Sequence, residues 1–302
     1  MIGRYRTLTH HPAVFRALTG MTVPAFDALS QELAPHQRAA AAARGQRPDR
    51  RRAPGAGHPF ALAPRDQLLL TVVWLRRYPI FAVLGYLFGV EETTALRTVA
   101  RLVPLLEAAG QATFRLPDPG KGKRLALDRL LADTPGLAVI VDTFEQRVQR
   151  PRERSEADTY HSGKKKQHTL KSQIAIDERD GRIVDVPPSV RGPTADLTVL
   201  KASGLLDRLP PGVGALGDLA YVGIGTLHPL GATPRRKPRG QPRPAEDVAF
   251  NTAFARRRIG VEHTIGRLRG YQALTQTDRH HRRGHTARVR AVAGLVNRRV
   301  AA

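Results

Sequence analysis

Apolar residues recur at helical spacing in the first third of the chain and then give way to short continuous apolar runs. The chain therefore reads as a helical region followed by a layered one. Phe26, Leu29 and Leu33 follow Thr22-Val-Pro24, where Thr suits a cap and Pro a first turn, and this predicts a helix over 23–43. It runs into Arg44-Gly-Gln-Arg-Pro-Asp-Arg-Arg-Arg52 and Ala53-Pro-Gly-Ala-Gly57, whose charge and Pro/Gly content predict a basic linker. From Pro64 to Gly110 three helical patterns are split at Tyr78-Pro79 and Phe88-Gly89, with apolar faces at Leu68, Leu69, Val72, Val73 and Leu84. A second helix near 80–88, a turn at Gly89-Val90 and a third helix near 92–107 make a helix-turn-helix pattern. Thr93, Thr94, Arg97, Thr98 and Arg101 would then face a nucleic acid. An ordinary three-helix bundle fits the same spacing, because Glu91 and Glu92 at the start of the third helix repel phosphate.

After Pro117-Asp-Pro-Gly-Lys-Gly-Lys-Arg124 the pattern changes, and Leu137-Ala-Val-Ile-Val141 reads as a buried strand. Two more strands, Leu170–Ile176 and Arg182–Val186, flank Glu178-Arg-Asp-Gly181, whose Asp-Gly signals a hairpin. Leu197, Leu200, Leu205 and Leu206 suit one helix, Val213–Leu216 a short strand, 244–270 a long helix, and 284–300 a last basic helix. An α/β layered domain accommodates that order.

Composition narrows the partners. Lys and Arg number 49 against 26 Asp and Glu, a formal charge of +23 that points to a polyanion. No Cys is present, so thiolate metal sites and disulfides are excluded and oxygen or imidazole must ligate any metal. No apolar run approaches a membrane span, which predicts a cytoplasmic protein.

Three carboxylates stand out. Asp142 directly follows the first apolar strand, where an anchored backbone lets a side chain reach the open edge of a sheet. Asp218 repeats this after Ala215-Leu-Gly, and Glu262 sits in the long helix among Ile259, Val261 and Ile265. Each has a purely structural counterpart: a turn or cap for either Asp, and an i, i+4 pair between Arg258 and Glu262. Only 43 residues (219–261) separate Asp218 from Glu262, and Pro234–Arg243 among them reads as a flexible basic loop. His280, His281 and His285 lie among Arg279, Arg282, Arg283 and Arg288 without zinc spacing, which suggests a phosphate-contacting tail.

Four longer segments carry a resemblance. They are Asp142-Thr-Phe-Glu-Gln-Arg-Val-Gln-Arg-Pro151, Tyr160-His-Ser-Gly-Lys-Lys-Lys-Gln-His-Thr-Leu-Lys171, Gly217-Asp-Leu-Ala-Tyr-Val-Gly223, and Asn251 with Arg258, Val261 and Glu262. Together they resemble the DDE transposases of the insertion-sequence-five group, relatives of the Harbinger transposases. Arg65-Asp-Gln-Leu-Leu-Leu70 and Leu84-Gly-Tyr-Leu-Phe-Gly-Val90 are similar to the family's helix-turn-helix. The chain departs from the family at Ala255, where Ser or Tyr is common, and at Arg269, where Lys is usual.

The resemblance implies an α/β fold: an RNase H-like catalytic domain with a mixed sheet, preceded by an α-helical helix-turn-helix domain. The implied divisions are 1–58 (helical segment and basic linker), 59–116 (helix-turn-helix) and 117–302 (catalytic). It implies catalytic, metal-holding roles for Asp142, Asp218 and Glu262, with two Mg²⁺ (or Mn²⁺) ions serving both cleavage and strand transfer. It implies DNA contacts from Thr93, Thr94, Arg97, Arg101, Lys164, Lys165, Lys166, Lys171, Arg258 and Arg269. The implied partner is double-stranded DNA, with no membrane, in a nucleoid-associated homo-oligomer. A nuclease that cuts without joining would use the same residues, whereas a regulator binding DNA through the helix-turn-helix alone would have no need of the three carboxylates.

Overall fold

A computed structural model describes residues 3–46, 61–121 and 129–300. The predicted basic linker lies mostly outside the described residues, as does the end of the Pro117–Arg124 segment. The helical region opens with two short helices that the apolar pattern did not reveal, α1 (Tyr5–Leu8) and α2 (Pro12–Thr19). Phe15, Phe26 and Tyr5 pack ring against ring there, with Phe15–Phe26 centroids 5.3 Å apart. The predicted 23–43 helix is α3 (Val23–Gly45), capped by the Thr22 hydroxyl, which accepts from the Ala25 amide at 3.3 Å.

Next come α4 (Pro64–Arg77), α5 (Phe81–Phe88) and α6 (Glu92–Gln111), close to the predicted bounds. The α5–α6 turn depends on glycine. A Cβ on Gly85 would stand 2.5 Å from the Val90 carbonyl, and Gly89 takes a left-handed φ of 62°. α4 ends on Tyr78, a non-glycine residue with φ 51°. Its phenol donates to Asp278 at 3.2 Å and accepts from the Arg279 amide at 3.1 Å, contacts that hold the strained backbone.

The layered region is built on β1 (Ala138–Arg147) and β3 (Gln167–Asp177), paired antiparallel along nearly their whole length. This corrects one expectation: the first strand does not stop at Asp142, because β3 is long enough to carry it on to Arg147. Between them lie α7 (Arg154–Tyr160) and β2 (His161–Ser162). The predicted hairpin places β4 (Ile183–Asp185) on β3, with Gly181 at φ 72° in its turn, and β5 (Val190–Arg191) adds to the same edge.

The predicted single helix near 197–206 is two, α8 (Asp196–Ser203) and α9 (Leu205–Arg208), broken where Gly204 turns left-handed at φ 62°. β6 (Gly214–Leu216) pairs parallel with β1, and after α10 (Ile224–Leu227) β7 (Gly231–Ala232) pairs parallel with β6. The sheet order is β2-β3-β1-β6-β7, with β4 and β5 also on β3. One half is therefore antiparallel and the other parallel. A helix-turn-helix region followed by this mixed α/β sheet matches the expected architecture and is consistent with an RNase H-like fold.

Alternation along β1 divides the core. Ala138, Ile140 and Phe144 face one large apolar cluster, which includes α11 (Ala245–Arg269), α12 (His285–Val300) and the N-terminal helices. Leu137, Val139 and Val141 face a smaller cluster with Leu200, Leu205 and Tyr221. The predicted last helix near 284–300 is α12, and it carries His285 and Arg288 of the supposed phosphate-contacting tail into the interior. Val289, Val292, Leu295 and Val296 are buried, and the helix lies so close to α6 that a Cβ on Gly294 would come within 2.2 Å of Gly110 Cα. Asn297 also serves as a strand partner for β4, accepting from the Ile183 amide and donating to its carbonyl, both at 2.8 Å.

His285 is buried as well, with Nε2 2.8 Å from Gln146 Oε1 and Nδ1 2.8 Å from Ser189 Oγ. The Gln146 amide nitrogen donates to the Ala273 and Gln276 carbonyls, so its oxygen is the acceptor and His285 donates from Nε2. Burial pushes the imidazole down to about 4, with Arg288 adding to the effect. Arg288 itself pairs with Asp278, both side chains buried.

Candidate active site

β1 supplies the anchor. Ala138 to Val141 are buried on both faces, which fixes the backbone immediately before Asp142. β6 runs beside them for three pairs, Ala138↔Gly214, Val139↔Ala215 and Ile140↔Leu216, and then stops. Gly217 permits the stop, since a Cβ there would lie 2.6 Å from Tyr221 Cβ as the chain folds under. Two residues past the last pair stand Asp142 on β1 and Asp218 after β6, near enough for the Asp218 charge to act on the Asp142 carboxyl, though only Asp142 of the two lines the neighbouring cleft. Asp218 also fills the structural role weighed for it: its carboxylate accepts from the Ala220 amide at 2.9 Å and caps the 3₁₀ turn Leu219–Tyr221.

Asp142 is half-buried in uncompensated negative charge. Burial is the main cause that pushes its carboxyl up to about 6, while the Thr143 amide (2.7 Å) and Arg258 act in the opposite sense and Asp218 and Asp196 add to the rise. The Arg258 contact is long, Nη2 to Oδ2 3.4 Å, and the buried Arg258 Nε has no partner among the described residues. Arg258 therefore pairs with Asp142 rather than with Glu262.

A cleft of about 390 Å³ opens beside this point. Asp142 and Glu145 line it from β1, Glu262 and Arg269 from α11, and Lys164 and Lys165 from the turn between β2 and β3. Glu262 is exposed on the face of α11 away from buried Val261, Thr264 and Leu268. The lysine turn is held by backbone: the Lys166 amide donates to the Ser162 carbonyl at 2.7 Å and the Lys165 amide reaches Ser162 Oγ at 3.2 Å. Lys166 carries the positive φ (53°), and all three side chains are exposed.

The other predicted contacts fall into two groups. On α6, Thr93 and Arg97 are exposed and Thr94 is half-buried, while Arg101 turns inward and donates to Thr98 Oγ1 at 3.1 Å. Lys171 is buried beside the cleft. Pro234–Arg243, read as a flexible loop, is tied down at Arg235, whose amide donates to Asn251 Oδ1 at 2.7 Å and whose guanidinium pairs with Asp247 at 3.0 Å. Two features of this region gave no usable signal in the sequence. Asp196, which lines the cleft, reads as an ordinary first-turn acid, and Arg257, which pairs with buried Glu178, reads like any arginine of a basic helix.

All the acidic groups here are oxygen donors, and the Asp142–Asp218 pairing with weak counter-charge suits a hard cation. No three His, Asp or Glu side chains among the described residues yet converge at metal-binding distances.

Comparison with known proteins agrees with this layout. The helix-turn-helix of DDE superfamily endonucleases matches residues 60–112. A protein described as "Probable transposase for insertion sequence element IS702", from Microchaete diplosiphon, is 28% identical over 232 residues, which is 77% of this chain and 79% of that protein. The description "DDE superfamily endonuclease" matches residues 141–297. That match covers just over half of the chain, from the residue before Asp142 through Glu262 into α12, and the chain belongs to the DDE superfamily endonucleases.

Proposed function

We propose that the chain is an insertion-sequence transposase of the insertion-sequence-five group, which binds the terminal inverted repeats of its own element and cuts and joins DNA strands. The observation that carries this reading is that Asp142 and Glu262 line one cleft, while the parallel β1–β6 register ends two residues before both Asp142 and Asp218. The relative's description and the family match support it. In this reading 59–116 recognises DNA through Thr93, Thr94, Arg97 and Arg101 of α6, residues 1–58 buttress it, and 117–302 perform the chemistry. Engaging two ends at once calls for a homo-oligomer, working on the nucleoid in the cytoplasm.

DDE superfamily endonucleases depend on divalent metals, and Asp142, Asp218 and Glu262 are the residues that would hold two Mg²⁺ or Mn²⁺ ions here. When bound, such ions supply an activated water or 3′-hydroxyl and stabilise the leaving oxygen. The chain's own residues do the rest. Lys164, Lys165 and Arg269 bring cationic donors to the phosphodiester at the rim, and Lys166 extends that charge along the backbone. Arg258, loosely held by Asp142, is free to exchange a carboxylate for a phosphate oxygen. The anchored strand keeps Asp142 in place through both steps.

The test is incubation with Mg²⁺ and a duplex carrying the element's own ends. Wild type is expected to cut and join, and Asp142→Asn to do neither. Cleavage that survives in Asp142→Asn overturns the assignment, cleavage without joining identifies a hydrolytic nuclease, and binding without cleavage identifies a regulator.

A further inference from the structure

The cleft contains an ion pair that neither the family match nor the carboxylate triad explains. Lys171 lies on β3 directly across from Glu145 of β1 and is 8% exposed. Its ammonium donates to Asp196 Oδ1 at 2.6 Å and to the Thr194 carbonyl at 2.5 Å. Asp196 is the first residue of α8, and its side chain is 13% exposed. Both residues line the cleft that holds Asp142 and Glu262.

A buried ion pair is a poor choice for stability alone. Desolvating two charges consumes most of their attraction, and apolar replacements of the same size are often as stable. On that face of the sheet the strand neighbours of Lys171 are polar, Glu145 directly across and Thr143 and Gln173 one pair on, so the ion pair stands at a polar edge beyond the apolar cluster. An ammonium has three donors, and Asp196 and Thr194 engage two. The third remains for whatever occupies the cleft that Lys171 lines. Fixed acceptors on two sides also remove most of the rotamer freedom that makes a surface lysine an imprecise phosphate contact. Lys164 and Lys165, exposed on their turn, have no such restraint.

We propose that Asp196 is a positioning residue that holds the Lys171 ammonium at one fixed point in the cleft, where it contacts a non-bridging oxygen of the phosphate to be cut. The inference rests on the proposed function, since it places the scissile phosphate beside Asp142. It adds a residue outside the triad and turns one of ten candidate DNA contacts into a specific one.

The experiment is metal-free binding, in EDTA, of two duplexes carrying the element's end: one natural, and one with an uncharged methylphosphonate at the cleavage position. Wild type is expected to bind the methylphosphonate duplex about tenfold more weakly, the scale of one charge-assisted contact. Lys171→Met should narrow that ratio severalfold, leaving only the share of the other cationic contacts. Asp196→Asn, which keeps the ammonium but loosens it, should show an intermediate ratio and raise KM for cleavage more than it lowers kcat. A structural pair predicts otherwise: lower melting temperatures with the duplex ratio unchanged, and that result overturns the proposal. Should Lys171→Met fold poorly, the ratio in Asp196→Asn decides alone, and a wild-type ratio there is equally fatal. Failure of the underlying function appears separately, as wild-type protein that does not cut the natural duplex when Mg²⁺ is restored.

Discussion

Two neighbouring arginines on α11 pair with carboxylates of the sheet region in opposite ways. Arg257 grips Glu178 through Nε at 2.5 Å and Nη2 at 2.6 Å, and its remaining donors reach Thr134 Oγ1 and the Pro135 carbonyl. Arg258 touches Asp142 once, at 3.4 Å, and leaves Nε unmatched. One pair is closed and complete, and the other is open and half-made. The first belongs to a joint, with Asp278–Arg288 and His285–Gln146, where helices are fastened to the sheet. The second belongs to a cleft that has to admit a phosphate. In the joint, Glu178, Asp278 and the Gln146 amide find short partners within the chain, although Arg288 Nε has none among the described residues. In the cleft, capacity is left over for a ligand.

Stability and activity should therefore separate along α11. Arg257→Ala strands Glu178 as a buried charge and should cost about 3–5 kcal/mol, read from the urea midpoint. A loss under 1 kcal/mol would erase the distinction between joint and cleft. His285 gives the joint a pH signature. The unfolded imidazole takes a proton near pH 6.5, whereas the folded one resists until about 4. Protons thus favour the unfolded chain between these values, and the stability present above pH 6.5 falls by about 3 kcal/mol as the pH drops to 4. His285→Gln should flatten that decline when urea unfolding is compared at pH 7.5 and 4.5. Gly294→Ala forces a methyl onto Gly110 and should cost about 1–3 kcal/mol through overpacking. Arg258→Ala should have the smallest effect on stability, under about 1 kcal/mol for so long a contact. Cleavage should nevertheless fall by about tenfold or more for want of one charged donor. A variant that unfolds before it loses activity would move Arg258 into the joint.

The elements most legible in the sequence were those whose signal is local. The Thr22 cap, the Gly89 turn, the Asp-Gly hairpin and the apolar run before Asp142 each express a constraint within a few residues, and each appears near its predicted bounds. What was lost depends on distant partners. β1 reads as ending at Asp142 because its alternation becomes polar there, yet β3 carries it five residues further. α12 is legible as a helix, but His285 and Arg288 at its start read as part of an exposed basic cluster because the arginines around them are conspicuous. Its burial depends on a close approach to Gly110 that local periodicity does not encode. Asp142 and Asp218 could be singled out one at a time, and their placement at adjacent strand ends follows only from the resemblance, because it depends on a parallel register between segments whose two carboxylates are 76 residues apart (218 − 142). Asp196 had no signal at all, since an acid in a first helical turn is commonplace.

The way α12 is used bears on how this gene decays. A stop codon at position 285 would leave every cleft residue encoded. It would also strip Gly110 of its partner, leave Ile183 without the Asn297 amide and leave Asp278 without Arg288. Truncations confined to the 3′ end of the reading frame should therefore behave as full loss-of-function alleles although every cleft residue is still encoded.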